Sequence, residues 1–543
     1  MRLRSLPVLV LLPALIAAFA ARSKGSAASL SEPRAAGPSA PLPPIVFVSR
    51  KPLAEHGAIP GLGPLHRAAA PGGRLLLRDP GGSLRELLPA GALFDVSDPS
   101  VSPDAHSIVF AGTPGADSAW RICEVGADGG APRFLTAPRG VGDDDLDPVW
   151  LDARTIVFAS TRSGWKTQYD GSPAPQLWRL SLDDGACVRI TSERNGVEEP
   201  CVDPRSGDIV YSRWWFNRWW PARDADGGDA RASVTVDSTR ALVGDRANLW
   251  QAIAIRSDGS HPRLFAGAFR DRRMESLDQP AVLPGGGVIG VVADELGLSP
   301  RPGATELVWF ASPHAPPRHV AGARFDPADV PAYGSARGLS APSACSPAAL
   351  PDGRVVFSYD PGSRGDFGLW VGALDGSAPV MLVNLPGTLE LDPAPVVTRA
   401  LPPARRPAIA RRDLPIDATR LAGWPETFRF ANRDVFARAY GKLATAVHRG
   451  AAQVRIRFWA ELPGGAGQRD TLVLVREVPV QRSGRVDERS LPAGIPMFEQ
   501  LVDERGDVLV SSLGAAHVAG YNAGTPGETA QCIGCHRGHS IEK

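Results

Sequence analysis

A short apolar pattern recurs six times along the chain, at Ile45-Val46-Phe47, Ile108-Val109-Phe110, Ile156-Val157-Phe158, Ile209-Val210-Tyr211, Ile289-Gly290-Val291 and Val355-Val356-Phe357. Self-similarity at spacings of tens of residues marks a repeat architecture. Each copy is followed by a second strand that often runs into a glycine turn, as in Trp120 to Asp128-Gly129, Leu177-Trp178 to Asp184-Gly185, Leu249-Trp250 to Asp258-Gly259 and Leu369-Trp370 to Asp375-Gly376, with Arg74 to Gly82 and Leu307 to Pro313 as weaker copies. That is the turn chemistry of antiparallel hairpins. A proline-marked lead-in precedes five of the copies: Asp98-Pro99, Asp147-Pro148, Glu199-Pro200, Gln279-Pro280 and Ser346-Pro347. The first copy lacks one, and a sixth lead-in, Asp392-Pro393, follows the last unit with no core strand behind it. The terminal strand can therefore complete the first unit and close a ring without a long exposed sheet edge. The expectation is a mainly β chain whose residues 43–399 form a six-bladed β-propeller.

The segments Ser102-Pro103-Asp104 ahead of Ile108 and Leu350-Pro351-Asp352-Gly353 ahead of Val355 resemble the TolB-type propeller repeat, a likeness that bears on fold and leaves function open. Between Ile209 and Ile289 the spacing lengthens, and the extra residues are read as an insertion opening with Ser212 to Trp220, where four tryptophans fall within seven residues. Arg213, Trp214 and Trp215 are candidate pocket residues, since aromatics interleaved with arginine can line a ligand channel or cover a cofactor. The alternative is a loop that packs over the propeller. Asp143-Asp144-Asp145-Leu146-Asp147 is rich enough in oxygen to hold Ca²⁺, or else is a solvated acidic loop.

After Arg399 the pattern changes through a Pro/Arg-rich linker, Pro402 to Arg412, placed within residues 400–440. Val454 to Phe458 alternates apolar and charged residues with period two, and Leu472 to Val475, Val478 to Val480, Met497 to Val502 and Val508 to Val510 continue the β signal. Residues 441–512 are read as a small β-sandwich-like domain, with a short helix around Asp434 to Val447, and residues 513–543 as a terminal cofactor segment.

Arg2 and Arg4 precede an apolar run from Leu6 to Ala20 that ends in Ala18-Phe19-Ala20, the form of a cleavable export signal over residues 1–20. Residues 21–42 read as a flexible lead-in rich in Ala, Ser, Gly and Pro. No later segment is apolar for long enough to span a membrane. With 59 Lys and Arg against 58 Asp and Glu, the chain lacks the basic excess that nucleic-acid binding normally leaves. Of its six cysteines, Cys187 and Cys201 are the closest pair outside the terminal motif, and a disulfide between them is the favoured pairing, with isolated thiols as the alternative.

Cys532-Ile533-Gly534-Cys535-His536 has the spacing of a covalent c-type haem attachment site. Cys532 and Cys535 lie on one side of a turn to form thioethers with the two vinyl groups, and His536 is placed to ligate iron. One haem c is expected, in a periplasmic or secreted protein, because this haem is attached outside the cytoplasm. A zinc site on Cys532, Cys535 and His539 is the alternative, although no second cysteine pair completes it. His517 is the first candidate for the opposite axial ligand. Two strong axial ligands favour electron transfer, whereas an open position lets iron bind a substrate.

Tyr211-Ser212-Arg213-Trp214 with Asn248-Leu249-Trp250, and Phe498 to Gly506 followed by Pro526-Gly527-Glu528 and Cys532 to His536, resemble the hydrazine synthase alpha subunit and its related proteins over about residues 43 to 540. The resemblance implies a haem-bearing subunit of a multihaem complex that joins nitrogen compounds. This chain has one attachment motif, and Arg537 to Glu542 contains no tyrosine to serve as the iron ligand that the family's active-site haem uses. Haem attachment is therefore carried over and hydrazine synthesis is not. The leading expectation is electron transfer to or within a periplasmic oxidoreductase complex, with a periplasmic redox protein as partner. The alternatives are a haem enzyme acting on a small nitrogen or oxygen species and a propeller docking module with a structural or sensory haem. No Gly-x-Ser-x-Gly elbow, His-Glu-x-x-His helix or phosphate-binding loop offers other catalysis.

Overall fold

The computed structural model describes residues 41–52, 68–140, 142–168, 171–216, 248–266, 277–293, 305–312, 315–324, 342–400, 406–414, 418–436, 453–462, 471–506, 509 and 522–532. Among them the chain is almost entirely β, with a single short helix, Ala418–Ala422. Six four-stranded antiparallel sheets account for residues 45 to 395. The recurrent apolar tripeptides sit in the second strand of each, and the Asp/Pro lead-ins form the first strands: Asp95–Val101, Asp145–Asp152, Val197–Val202, Asp278–Val282, Ser343–Ala349 and Leu389–Pro395. The second strands read as continuous apolar runs because both their faces are covered by neighbouring sheets; Ile45, Val46, Phe47 and Val48, for example, are all fully buried.

Each first strand packs on the next in the order just given, and Leu389–Pro395 returns to Asp95–Val101. The strand Leu389–Pro395 pairs with Ile45–Arg50, as the displaced sixth lead-in implied. The architecture is that of a β-propeller. At every lead-in the residue before proline has a left-handed backbone, with φ between 47° and 53° at Asp98, Asp147, Glu199, Gln279, Ser346 and Asp392. The register shifts at the same point, so each first strand carries a bulge that re-aims this side chain.

The remaining strands form two three-stranded sheets. One has the order Val486–Pro492, Thr427–Asn432, Thr529–Cys532, and the other Thr471–Pro479, Arg455–Leu462, Met497–Val502. Two parts of the sequence reading change here. Thr427–Asn432, assigned to the linker, is the central strand of its sheet. Thr529–Cys532, assigned to a separate terminal segment, is its parallel neighbour, with Asn432 opposite Cys532. Parallel pairing across a hundred residues leaves no local signature, which is why neither was visible in the pattern. The expected helix around Asp434 to Val447 falls mostly outside the described residues.

Cys187 and Cys201 are not disulfide-bonded, contrary to the favoured pairing, and neither are Cys123 and Cys345. Cys187 is on the outermost strand of one sheet and Cys201 on the innermost strand of the next, so the width of a sheet separates them. Among the described residues no helix is long and apolar enough to cross a membrane.

Candidate functional site

Where the propeller meets the second domain, the two enclose a chamber of about 50 Å³. Its walls mix the two characters: Phe428, Phe430, Phe458, Met497 and Glu499 contribute from the second domain, and Glu193, Arg213, Ile253 and Leu264 from the propeller. Arg213 belongs to the strand Ile209–Phe216, which pairs residue for residue with Asn248–Ile255. The insertion therefore begins after Phe216 and not at Ser212, and Arg213, Trp214 and Trp215 are strand residues.

The arginine is held on all sides. Its Nε and Nη2 donate to Gln251 Oε1 at 3.3 and 3.0 Å, and its Nη1 donates to Asn522 Oδ1 at 3.2 Å and faces Glu193 Oε2 at 3.6 Å. Tyr211 donates its hydroxyl to Glu193 Oε1 at 2.9 Å. Burial first, then the charge of Glu193, pushes the Tyr211 phenol well above its ordinary range, so it stays a donor. Glu499 lies in the chamber wall at 8% exposure. Burial pushes its carboxyl up to about 8, against the opposing field of Arg213. An acid that remains protonated at neutral pH in a largely apolar cavity is a hydrogen-bond and proton donor.

The polar backbone of the terminal segment is tied to the same place. Asn522 exchanges both backbone hydrogen bonds with Met497 at 2.8 Å, and the His261 amide donates to Glu528 Oε2 at 2.9 Å. Ala530 lines the chamber. Because side chains alternate along a strand, Cys532 projects to the same side as Ala530, one repeat further on. Cys532 is 6% exposed and belongs to the apolar core of the second domain, with Phe430, Phe436 and Met497 among its members. Of the expected haem-attachment atoms, only the Cys532 sulfur is among the described residues; Cys535, His536 and the candidate axial ligand His517 lie outside them. The surroundings of Cys532 are apolar and packed, and it lines neither this chamber nor the propeller's own cavity. Trp214 stacks on Trp250 with centroids 5.6 Å apart, and Trp215 is 2% exposed; neither lines the chamber.

A second polar constellation went unread in the sequence. The bulged first strands of the propeller surround a cavity of about 480 Å³, and the carboxylate oxygens of Asp98, Asp147 and Glu199 lie within 4.8 Å of one another beside it. Such a trio could hold a cation. Burial, then the charge of Asp147, pushes Asp98 up to about 8, and burial with the same neighbour pushes Glu199 well above the usual carboxylate range. Asp392 rises to about 7 through burial and the charge of Asp98. The signal was the acidic residue before the proline in four of the six lead-ins, which marks the fold equally well. Of the acidic run Asp143 to Asp147, Asp145 instead forms an ion pair with Arg162 at 2.6 Å, and Asp144 accepts from the Trp120 amide at 3.0 Å.

No family model matches the chain, and no curated protein does. Among solved structures, hydrazine synthase from Kuenenia stuttgartiensis aligns with a TM-score of 0.62 at 16% identity, covering 93% of this chain and 70% of that one. The two chains share a fold. Coverage of 93% requires the likeness to hydrazine synthase to run through both the propeller and the second domain. TolB from Acinetobacter baumannii aligns at a TM-score of 0.40 with 13% identity, over 65% of this chain and 66% of that one.

Proposed function

We propose that this is an exported c-type haem protein that transfers electrons to or within a periplasmic oxidoreductase complex. A six-bladed propeller would serve as the platform, and Cys532, Cys535 and His536 would attach and ligate one haem. The observation that carries the reading is the strand Thr529–Cys532. It is locked parallel to Thr427–Asn432 and brings a cysteine of the attachment motif into an apolar cluster beside the chamber. The likeness of fold to hydrazine synthase supports it. When bound, the group supplies one-electron redox chemistry at iron. The chain supplies the rest: the apolar cluster that includes Cys532 would keep water from its sulfur, and the hydrogen bond from the His261 amide to Glu528 ties the segment before the strand to the propeller.

A second reading, in which the haem acts on a small nitrogen or oxygen species, is favoured by Glu499, an acid facing a chamber with room for only a few water-sized atoms. Absorption spectra of the full chain, expressed with haem-maturation machinery, test both readings. Covalent haem that is lost in Cys532→Ala/Cys535→Ala and indifferent to carbon monoxide is expected for the carrier. Covalent haem that binds carbon monoxide favours the second reading, and wild-type protein without covalent haem defeats both.

A further inference from the structure

The segment 406–414, which leaves the propeller, crosses back over it before entering the second domain. The Ile409 amide donates to Asp258 O and the Arg411 amide to Arg189 O, both at 2.8 Å. This places buried Arg189 beside partly exposed Arg411 in one seam. Arg189 is 2% exposed, and its guanidinium carbon lies 4.9 Å from the centre of the Trp165 ring. One of its nitrogens, Nη2, donates to the Arg412 carbonyl; Nε and Nη1 are buried and donate to nothing. Arg411 uses Nη2 on Gly259 O at 2.6 Å and Thr525 Oγ1 at 3.4 Å, while its Nη1 is buried without a partner. Two hydroxyls share the condition: Ser192 at 5% exposure and Ser260 at 2%, each with Oγ unpartnered.

Arg411 and Ser192 adjoin the same glycine: a Cβ placed on Gly494 would lie 3.6 Å from Arg411 Cδ and 4.0 Å from Ser192 Oγ, and Ser260 follows the Gly259 whose carbonyl Arg411 holds. Three of the nearby acids are engaged elsewhere, and the fourth, exposed Asp413, acts on Arg189 through its charge without forming an ion pair. Asp258 accepts from the Ser260 amide, Glu426 from Arg412 and Glu528 from the His261 amide, and neither arginine forms an ion pair with a described acid. Three buried guanidinium N–H positions without acceptors are costly, since a buried charge is normally paired and every buried donor normally bonded. What the seam lacks is a compact acceptor with several oxygens and negative charge.

We propose that this seam binds one small oxyanion of the phosphate or sulfate class, held by Arg189, Arg411, Ser192 and Ser260. It joins three parts of the molecule, the hairpin at 258–261, the segment 406–414 and the turn at Gly494. Because Arg189, Ser192 and Ser260 are at most 5% exposed and Arg411 only partly so, the ligand is a free ion and not the end of a larger molecule. The inference does not depend on the haem.

The test is thermal unfolding of the full chain against sulfate and phosphate at constant ionic strength, balanced with chloride. A saturable rise in Tm is expected for the wild type. The half-saturation point should move up at least tenfold in Arg411→Met and in Ser192→Ala/Ser260→Ala, which keeps both charges. Arg154→Met, on an exposed pair, should respond like the wild type. A rise that is linear and equal in all variants is general salting-out and overturns the proposal, as does no rise at all. Saturable stabilisation by phenyl phosphate would overturn the free-ion assignment.

Discussion

Glu499 and Arg213 face one chamber from opposite domains yet form no ion pair, because Arg213 is already held by Gln251, Asn522 and Glu193. The acid is left to desolvation, and its pKa climbs from an ordinary 4.5 to about 8. A raised carboxyl pKa means that the folded state keeps its proton while the unfolded chain loses it. Stability on this account is fully present below about 4.5, falls as pH rises through the window up to about 8, and is flat above it. Glu499→Gln should therefore unfold like the wild type at pH 4 and be more stable by about 1–3 kcal/mol at pH 8, read by urea denaturation at the two pH values. A steric prediction sits on the opposite wall. A Cβ at Gly524 would fall 2.1 Å from Cγ of Phe428, inside the ring. Gly524→Ala should cost about 1–3 kcal/mol by overpacking and should shift the Phe428 ring into the chamber, as a crystal structure of the variant would reveal. Arg213 was legible in the sequence as a polar residue among tryptophans. Glu499 was not, because an acid within Met497-Phe498-Glu499-Gln500 reads as the solvent face of a strand until the propeller covers it.

At the scale of elements, the propeller strands were legible because a fully buried strand is written as a contiguous apolar run. The proline lead-ins were legible as boundaries, but their chemistry was hidden. Asp98, Asp147 and Glu199 stand about fifty residues apart, and only the closing of the sheets brings their oxygens within 4.8 Å. Two of the six equivalent positions, Gln279 and Ser346, carry no charge, so the ring tolerates an amide. The Gln279 amide already donates to Glu199 at 3.4 Å. Glu199→Gln should accordingly preserve the fold. Raised carboxyl pKa values here predict that the wild-type protein loses stability as pH rises from about 4 toward 8; the variant should lose less. Guanidinium chloride titrations at pH 4 and pH 8 would measure the difference, and equal pH slopes in the two proteins would count against a shared buried acid cluster.

The whole molecule depends on polar contacts that cross between propeller and second domain, because the apolar clusters of the two are separate. Glu461, fully buried on the strand Arg455–Leu462, accepts from Arg194 Nε at 2.9 Å and from Gln168 Nε2 at 2.5 Å, both on the propeller. The same arginine reaches the Lys166 carbonyl at 2.5 Å, so one carboxylate anchors two propeller loops at once. Removing one partner of a buried pair leaves the other charge unpaired in a low dielectric, at a cost of about 3–5 kcal/mol. The cost of Glu461→Ala falls on the seam and not on either core. Such a loss should change the form of unfolding as well as its midpoint: a single calorimetric transition in the wild type should split in Glu461→Ala, with the second domain melting first. Among the described residues its strands lie in two small sheets, whereas the propeller closes on itself through Leu389–Pro395 and has no need of the second domain to cover an edge. Arg194→Met/Glu461→Leu replaces both charges with apolar volume and should restore much of the lost stability while leaving the transitions separate, because it refills the gap without remaking the hydrogen bonds to Gln168 and Lys166. Coincident melting of both domains in Glu461→Ala would mean that the contacts at Arg213 and Glu528 are sufficient to hold them together.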